Sequence, residues 1–303
     1  MIIVKLKDQL GNQMFAYASI KSIAMDKNMK FGFFRVPLSE EFINDSDERY
    51  GNDLYTIFNL PESEWVKELP DNYDIYKELP MKERNDDGYA AKVRGSLIDN
   101  LIADGHFITT VFIADKVPQL REWFRIPFDV EEKIKSLIQN LRGKNTLISV
   151  HFRVGDDYVR NGFKLKYLYW QKAAQHVKSH VENPRFICVY DKRTKEIERF
   201  IKEFDAVEFH GSLVEDMCLI SKCDGNIVCN STFSIMAALL NEYSQITICP
   251  GKYPTEAGYL PDNVFLEEWI HIGKGKRDFK SWLYYIRRRY LRKSKLLKLF
   301  KNT

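Results

Sequence analysis

The sequence predicts an α/β protein of two domains, the second a doubly wound parallel sheet. Three observations carry this. The chain has 303 residues, enough for two cores at about 150 residues each. Hydrophobic residues make up 45% and charged residues 29%, ordinary proportions that exclude disordered, collagenous and fibrous classes. In the second half, short apolar runs alternate with helix-length segments, the pattern of βαβ units.

The elements follow in order. Ile2–Leu6 (IIVKL) reads as a short buried strand, and residues 12–28 as a helix after a turn at Gly11. Residues 35–95 are acidic and aromatic and carry Pro37, Pro61, Pro70 and Pro80. They read as irregular structure with short helices at 40–44 and 62–67. Helices are expected at 117–124 and 130–141, the latter with an apolar stripe of period 3.6. Gly143-Lys144-Asn145 then marks a turn, dividing an N-terminal domain (1–143) from a C-terminal one (144–273). Strands are predicted at Thr146–Phe152, 185–190, Val207–Phe209, 226–229 and 246–248. Helices between them are predicted at 165–181, 194–204, Leu213–Lys222 and 232–241.

Some classes drop out. The longest apolar runs, such as 235–240, fall far short of the roughly 18 residues of a membrane span. The N-terminus has no charged and then apolar leader pattern, so no secretory signal is expected. The five cysteines, Cys188, Cys218, Cys223, Cys229 and Cys249, are odd in number and lack C-x-x-C spacing. Buried free thiols in a reducing cytoplasm are expected, without disulfides or zinc.

Charge is uneven. Residues 274–303 hold twelve Lys or Arg against Asp278, a segment charge of +11 that leaves −7 on the remainder of a chain at +4. Phe279, Trp282, Leu283, Ile286, Tyr290, Leu297 and Phe300 recur there at roughly helical spacing among the cations. Such a tail suits an anionic membrane surface; the other readings are a solvated basic helix or a nucleic-acid contact. The membrane is the expected partner, with the protein peripheral on the cytoplasmic face, and nucleic acid is not expected.

In doubly wound sheets, ligands bind beyond the carboxyl ends of the strands. Those positions hold His151, Arg153, Gly155, Asp156 and Asp157; then Asp191; then His210, Glu215 and Asp216; then Asn230, Ser231, Thr232, Phe233 and Ser234. Arg153 either clamps a diphosphate or pairs with Asp156 or Asp157. Asn230-Ser231-Thr232 either caps a helix or places its free amides on an anion. Gly11-Asn12-Gln13 is either a turn with a cap or a set of donors facing the interdomain cleft. His151 is either structural or a base. Asp45 and Asp47 spell D-x-D, a possible metal motif, within a loop where acids are common. Gly273-Lys274-Gly275-Lys276 lacks P-loop spacing and reads as a linker to the tail.

Together these segments resemble the bacterial α-1,2-fucosyltransferase family. Leu10-Gly11-Asn12-Gln13-Met14-Phe15-Ala16-Tyr17-Ala18 is similar to its opening motif. Val150-His151-Phe152-Arg153-Val154-Gly155-Asp156 resembles its H-x-R-R-G-D-Y motif, and Cys229-Asn230-Ser231-Thr232-Phe233-Ser234 its N-S-[ST]-F-S segment. Gly105-His106-Phe107 falls where the family has G-Y-[WF], Tyr167–Ala173 where it has Y-Y-x-x-A, and Asp216–Cys223 resembles D-x-x-L-M-S-x-C. The chain departs from the pattern at Val154 (the second Arg), at an inserted Asp157 ahead of Tyr158, at Asp8-Gln9 (paired glycines) and at Ile235-Met236 (paired tryptophans).

The resemblance implies a GT-B-like fold, two Rossmann-like domains facing across a cleft, the N-terminal one (1–143) on the acceptor side and the C-terminal one (144–273) holding the nucleotide sugar, followed by the basic tail. It implies an inverting transfer of L-fucose from GDP-fucose to a galactose 2-hydroxyl of a surface glycan, with no cofactor or metal. Arg153 and the amides at Ser231–Thr232 are expected to hold the departing diphosphate. Asp156 is the first choice of base, His151 the second. The donor-binding set is Gly11, Asn12, Gln13, Gly155, Asp191, Asp216, Asn230, Ser231, Thr232, Phe233 and Ser234. The alternatives are transfer from another nucleotide sugar, for instance through a metal on Asp45 and Asp47, and a catalytically degenerate membrane-docked scaffold.

Overall fold

The structure, a computed structural model, describes residues 1–36, 54–79, 88–252, 254–255, 258–259, 262–274, 279–280, 282–284 and 286–287. The expected helix at 40–44, the Asp45 and Asp47 pair, Gly275, Lys276 and the tail beyond 287 lie outside them.

The N-terminal half builds one parallel sheet. Its elements are β1 (Ile2–Leu6), α1 (Leu10–Asp26), β2 (Phe31–Arg35), α2 (Leu54–Phe58), β3 (Asp74–Lys77), α3 (Tyr89–Ser96) and β4 (Leu101–Asp104). The strand order is β2-β1-β4-β3, and every pairing is parallel. Two helices follow, α4 (Val117–Trp123) and α5 (Phe128–Arg142).

The C-terminal half runs β5 (Thr146–Phe152), α6 (Asp156–Arg160), α7 (Tyr167–His180), β6 (Pro184–Tyr190), α8 (Lys195–Phe204), β7 (Val207–Phe209), α9 (Leu213–Lys222), β8 (Gly225–Ile227), α10 (Thr232–Leu240) and β9 (Ile246–Pro250). A small antiparallel hairpin, β10 (Pro254–Thr255) with β11 (Gly258–Tyr259), precedes β12 (Ile270–Ile272). The sheet order is β12-β9-β8-β5-β6-β7, again all parallel.

Strands buried on both faces explain the second sheet. Phe152 and Phe186 pack with Trp170 and Phe200 on one side, where α7 and α8 cover the sheet. Leu147, Ile187, Val189 and Cys249 pack on the other, against α9 and α10. That second cluster runs on without interruption into Met14, Ala18 and Phe15 of α1, so helices of the two halves share one core. Lys222 of α9 pairs with Glu131 of α5 at 2.7 Å. Arg121 of α4 donates to the carbonyls of Leu240 and Asn241, satisfying the last turn of α10.

Two expectations for the first half need correction. At 62–67 there is a single 3-10 turn, Glu62–Glu64, after which Trp65 is extended and bridges Phe33. Strand β3 lies within the stretch read as irregular; it is an edge strand, largely exposed, and so lacks an apolar alternation to find. All five cysteines are buried free thiols, and burial raises each of them, Cys229 to about 12. Among the described residues no helix is long and apolar enough to cross a membrane.

Candidate active site

The carboxyl ends of both sheets open onto one polar cavity. From the N-terminal half it is lined by Gln9, Leu10 and Gly11; from the C-terminal half by His151, Arg153, Tyr190, Asp191, Leu213, Asp216, Ser231, Thr232 and Phe233. The two sets meet at a very close helix approach. A β-carbon on Gly11 would lie 2.3 Å from the Phe233 nitrogen and 2.6 Å from the Thr232 carbonyl carbon. Thr232 Oγ1 donates to Asn12 Oδ1 at 2.9 Å across the same contact.

The N-termini of α1 and α10 therefore converge. Ser231 is the residue before α10, yet its side chain makes no capping bond. The first turn's bond is donated by Ile235 to the Ser231 carbonyl, so the amides of 232–234 have no helical acceptor. Gln9, before α1, likewise makes no side-chain cap. Two uncapped N-termini, each carrying about half a positive charge, make an anion site.

Arg153 supplies the full charge. Its side chain is only 14% exposed. Nη1 donates to Asp191 Oδ2 at 2.8 Å, Nη2 to Asp157 Oδ2 at 2.6 Å, and Gln9 Oε1 is 3.4 Å from Nη2. The guanidinium also lies 5.1 Å from the Tyr158 ring centroid. Asp191 is a positioning group: it accepts the Val154 and Gly155 amides, both at 2.9 Å, as well as the guanidinium. Gly155 lets the carboxylate come close: a β-carbon there would lie 2.6 Å from Asp191 Oδ2, and the Asp191 side chain would have to shift.

The other predicted residues divide. Ser231, Thr232 and Phe233 line the cavity with Asp216, whose Oδ1 accepts the Gly211 amide at 2.9 Å. His151 lies in the cavity wall, buried, with Nδ1 3.3 Å from Cys229 Sγ and its ring against Phe233. Six of the predicted residues do not line the cavity: Asn12 and Gly155, held by Thr232 and Asp191, and four more. Asp156 is turned outward, 72% exposed, and pairs with Lys192 at 2.6 Å; that bond holds its carboxyl below the usual range. It is not among the residues that line the cavity. Gln13 is spent on the Asp8 carbonyl and the Leu54 amide; Asn230 donates Nδ2 to the Phe163 carbonyl while its Oδ1 is buried without a partner among the described residues; Ser234 accepts the Cys229 amide. All three brace the turns that shape the site.

Sequence reasoning missed Gln9, Leu10, Tyr190 and Leu213. Tyr190 ends β6 and stacks on His210, centroids 5.3 Å apart and 9° from parallel; its place at a strand end was the available signal. Among the described residues no cluster of three or more His, Cys, Asp or Glu could hold a metal ion.

An activated-sugar transferase needs such a cleft: a cationic, amide-rich pocket for a leaving diphosphate, open toward a second lobe. The molecule is a glycosyltransferase of GT-B-like architecture. It belongs to glycosyl transferase family 11, whose model matches residues 76–273. It is 23% identical over 295 residues to the mouse galactoside 2-alpha-L-fucosyltransferase Sec1 (90% of this chain, 74% of that one). It is 26% identical over 298 residues to an Escherichia coli alpha-1,2-colitosyltransferase (90% and 99%). In fold it resembles the fucosyltransferase NodZ from Bradyrhizobium, with a TM-score of 0.53 at 12% identity over 79% of this chain and 92% of that one. The chain is thus a divergent, α-1,2-fucosyltransferase-like enzyme of this family.

Proposed function

We propose that this enzyme moves L-fucose from GDP-fucose to the 2-hydroxyl of a galactose residue, inverting the anomeric centre without a metal. The observation that carries the reading is Arg153 beside two uncapped helix N-termini in one cavity. Negative charge grows on the diphosphate as the glycosidic bond breaks, and these groups stand ready to stabilise it. Asp216 and the Tyr190 face give the rest of the nucleotide a carboxylate and an aromatic wall. His151, at the cavity wall, is the remaining sequence-predicted group for the acceptor's proton. The likeness to a colitosyltransferase favours one second reading, the same reaction with colitose as the sugar.

Thermal shift, run once in EDTA and once with manganese and no chelator, tests the donor. GDP-fucose or GDP-colitose should raise the melting temperature with saturation, and mannose or galactose carried on UDP should not. A shift seen only with a UDP-sugar and manganese overturns the reading.

The tail supports a place of work. Phe279, Trp282, Leu283 and Ile286 are each more than 40% exposed in its described part, ahead of a run of cations. We propose that it docks the enzyme on the anionic cytoplasmic face of a membrane, where a lipid-linked glycan acceptor would be met, and that it takes no nucleic acid. The full chain should sediment with phosphatidylglycerol-containing vesicles and a chain ending at 274 should not. Equal sedimentation of both refutes it.

A further inference from the structure

We propose that Asp8 and His106 form a sugar-binding subsite for the acceptor, a deepening that rests on the transfer reaction proposed above. β1 and β4 are parallel neighbours, so their carboxyl ends open on the same edge. Asp8 follows one and His106 the other, and Asp8 Oδ2 bonds His106 Nε2.

The pair is held in place from behind. Glu78, just past β3, accepts the amides of His106 at 2.8 Å and Phe107 at 3.1 Å. It packs on Gly105, where a β-carbon would stand 2.3 Å from Glu78 Cβ. Gln13 donates to the Asp8 carbonyl at 2.8 Å. Both loops take left-handed backbone at non-glycine residues, Asp8 at φ 63° and Phe107 at φ 49°, the latter an outlier for a bulky residue. Such strain persists where surroundings over-determine it, and it concentrates at functional sites.

Both side chains keep part of their surface open to solvent. The Asp8 side chain is 40% exposed and that of His106 24%; an ion pair this open contributes little to stability. A carboxylate acceptor beside an imidazole matches the hydroxyls of a pyranose. Position agrees: Gln9, next to Asp8, lines the cavity and reaches Arg153.

Saturation-transfer NMR of methyl β-galactoside with the full chain tests this directly, without donor or turnover. The wild type should bind. Asp8→Asn and His106→Ala should each weaken binding at least tenfold, and His106→Gln, which keeps a donor, should recover part of it. GDP affinity in the same variants should stay within twofold, and circular dichroism confirms their folding. No galactoside binding by the wild type, or unchanged binding by the folded variants, overturns the subsite. Loss of GDP binding in the wild type would instead strike the donor reading, while the galactoside arm still decides the subsite.

Discussion

Arg153→Ala is expected to lower kcat/KM by about 100- to 1,000-fold, about 2.7–4 kcal/mol of transition-state stabilisation, the scale of losing a preorganised donor at a developing anion. The side chain is largely shielded from water, where a charge acts more strongly than in bulk solvent. Its removal also exposes the diphosphate to Asp157 and Asp191, two carboxylates that the guanidinium now engages at 2.6 and 2.8 Å. Arg153→Lys keeps the charge but cannot fork to both carboxylates, so it should fall between alanine and wild type. Steady-state kinetics at saturating acceptor, with melting temperatures to confirm folding, measures this. Turnover by Arg153→Ala within tenfold of wild type would show that the diphosphate is held elsewhere.

Gly11→Ala should be the most damaging conservative change in the chain's first motif. The added methyl would meet backbone, the Phe233 nitrogen at 2.3 Å and the Thr232 carbonyl carbon at 2.6 Å, and backbone cannot swing aside as a flexible side chain can. α1 and α10 would have to part. Overpacking of this kind costs about 1–3 kcal/mol of stability, read by denaturant unfolding. The same displacement moves both helix N-termini, and about 1 Å of misplacement can cost about 100-fold in rate. Gly95→Ala is the control: nothing lies within 4 Å of its β-carbon, and in α3 alanine should be neutral or stabilising by up to about 1 kcal/mol. If Gly11→Ala behaves like Gly95→Ala, the helix contact is not what shapes the cavity.

Particular elements show why some of this was legible. Thr146–Phe152 and Leu213–Lys222 carry their own local signals, a buried apolar run and a capping box of Ser212 with Glu215, and both fall where the sequence puts them. β3 has no such signal because its side chains face solvent. Asp156 and Asp157 look interchangeable in sequence. A helix begins at Asp156, successive residues project about 100° apart, and so Asp157 meets Arg153 while Asp156 meets Lys192. His151 likewise reads as either structural or a base; only the fold sets it in the cavity wall, between Cys229 and Phe233.

The amino-acid order alone determined the parallel C-terminal sheet, the family, and the strand ends from which the polar residues would come, since these follow from apolar periodicity and motifs within tens of residues. Tertiary structure alone decided that Gly11 touches Phe233, that Gln9 reaches Arg153, and that Asp8 finds His106. Those contacts join loops 98 to 222 positions apart along the chain; they exist because parallel strands deliver their carboxyl ends to one edge, and no local pattern encodes which loops of two sheets will be pressed together when α1 and α10 share a core.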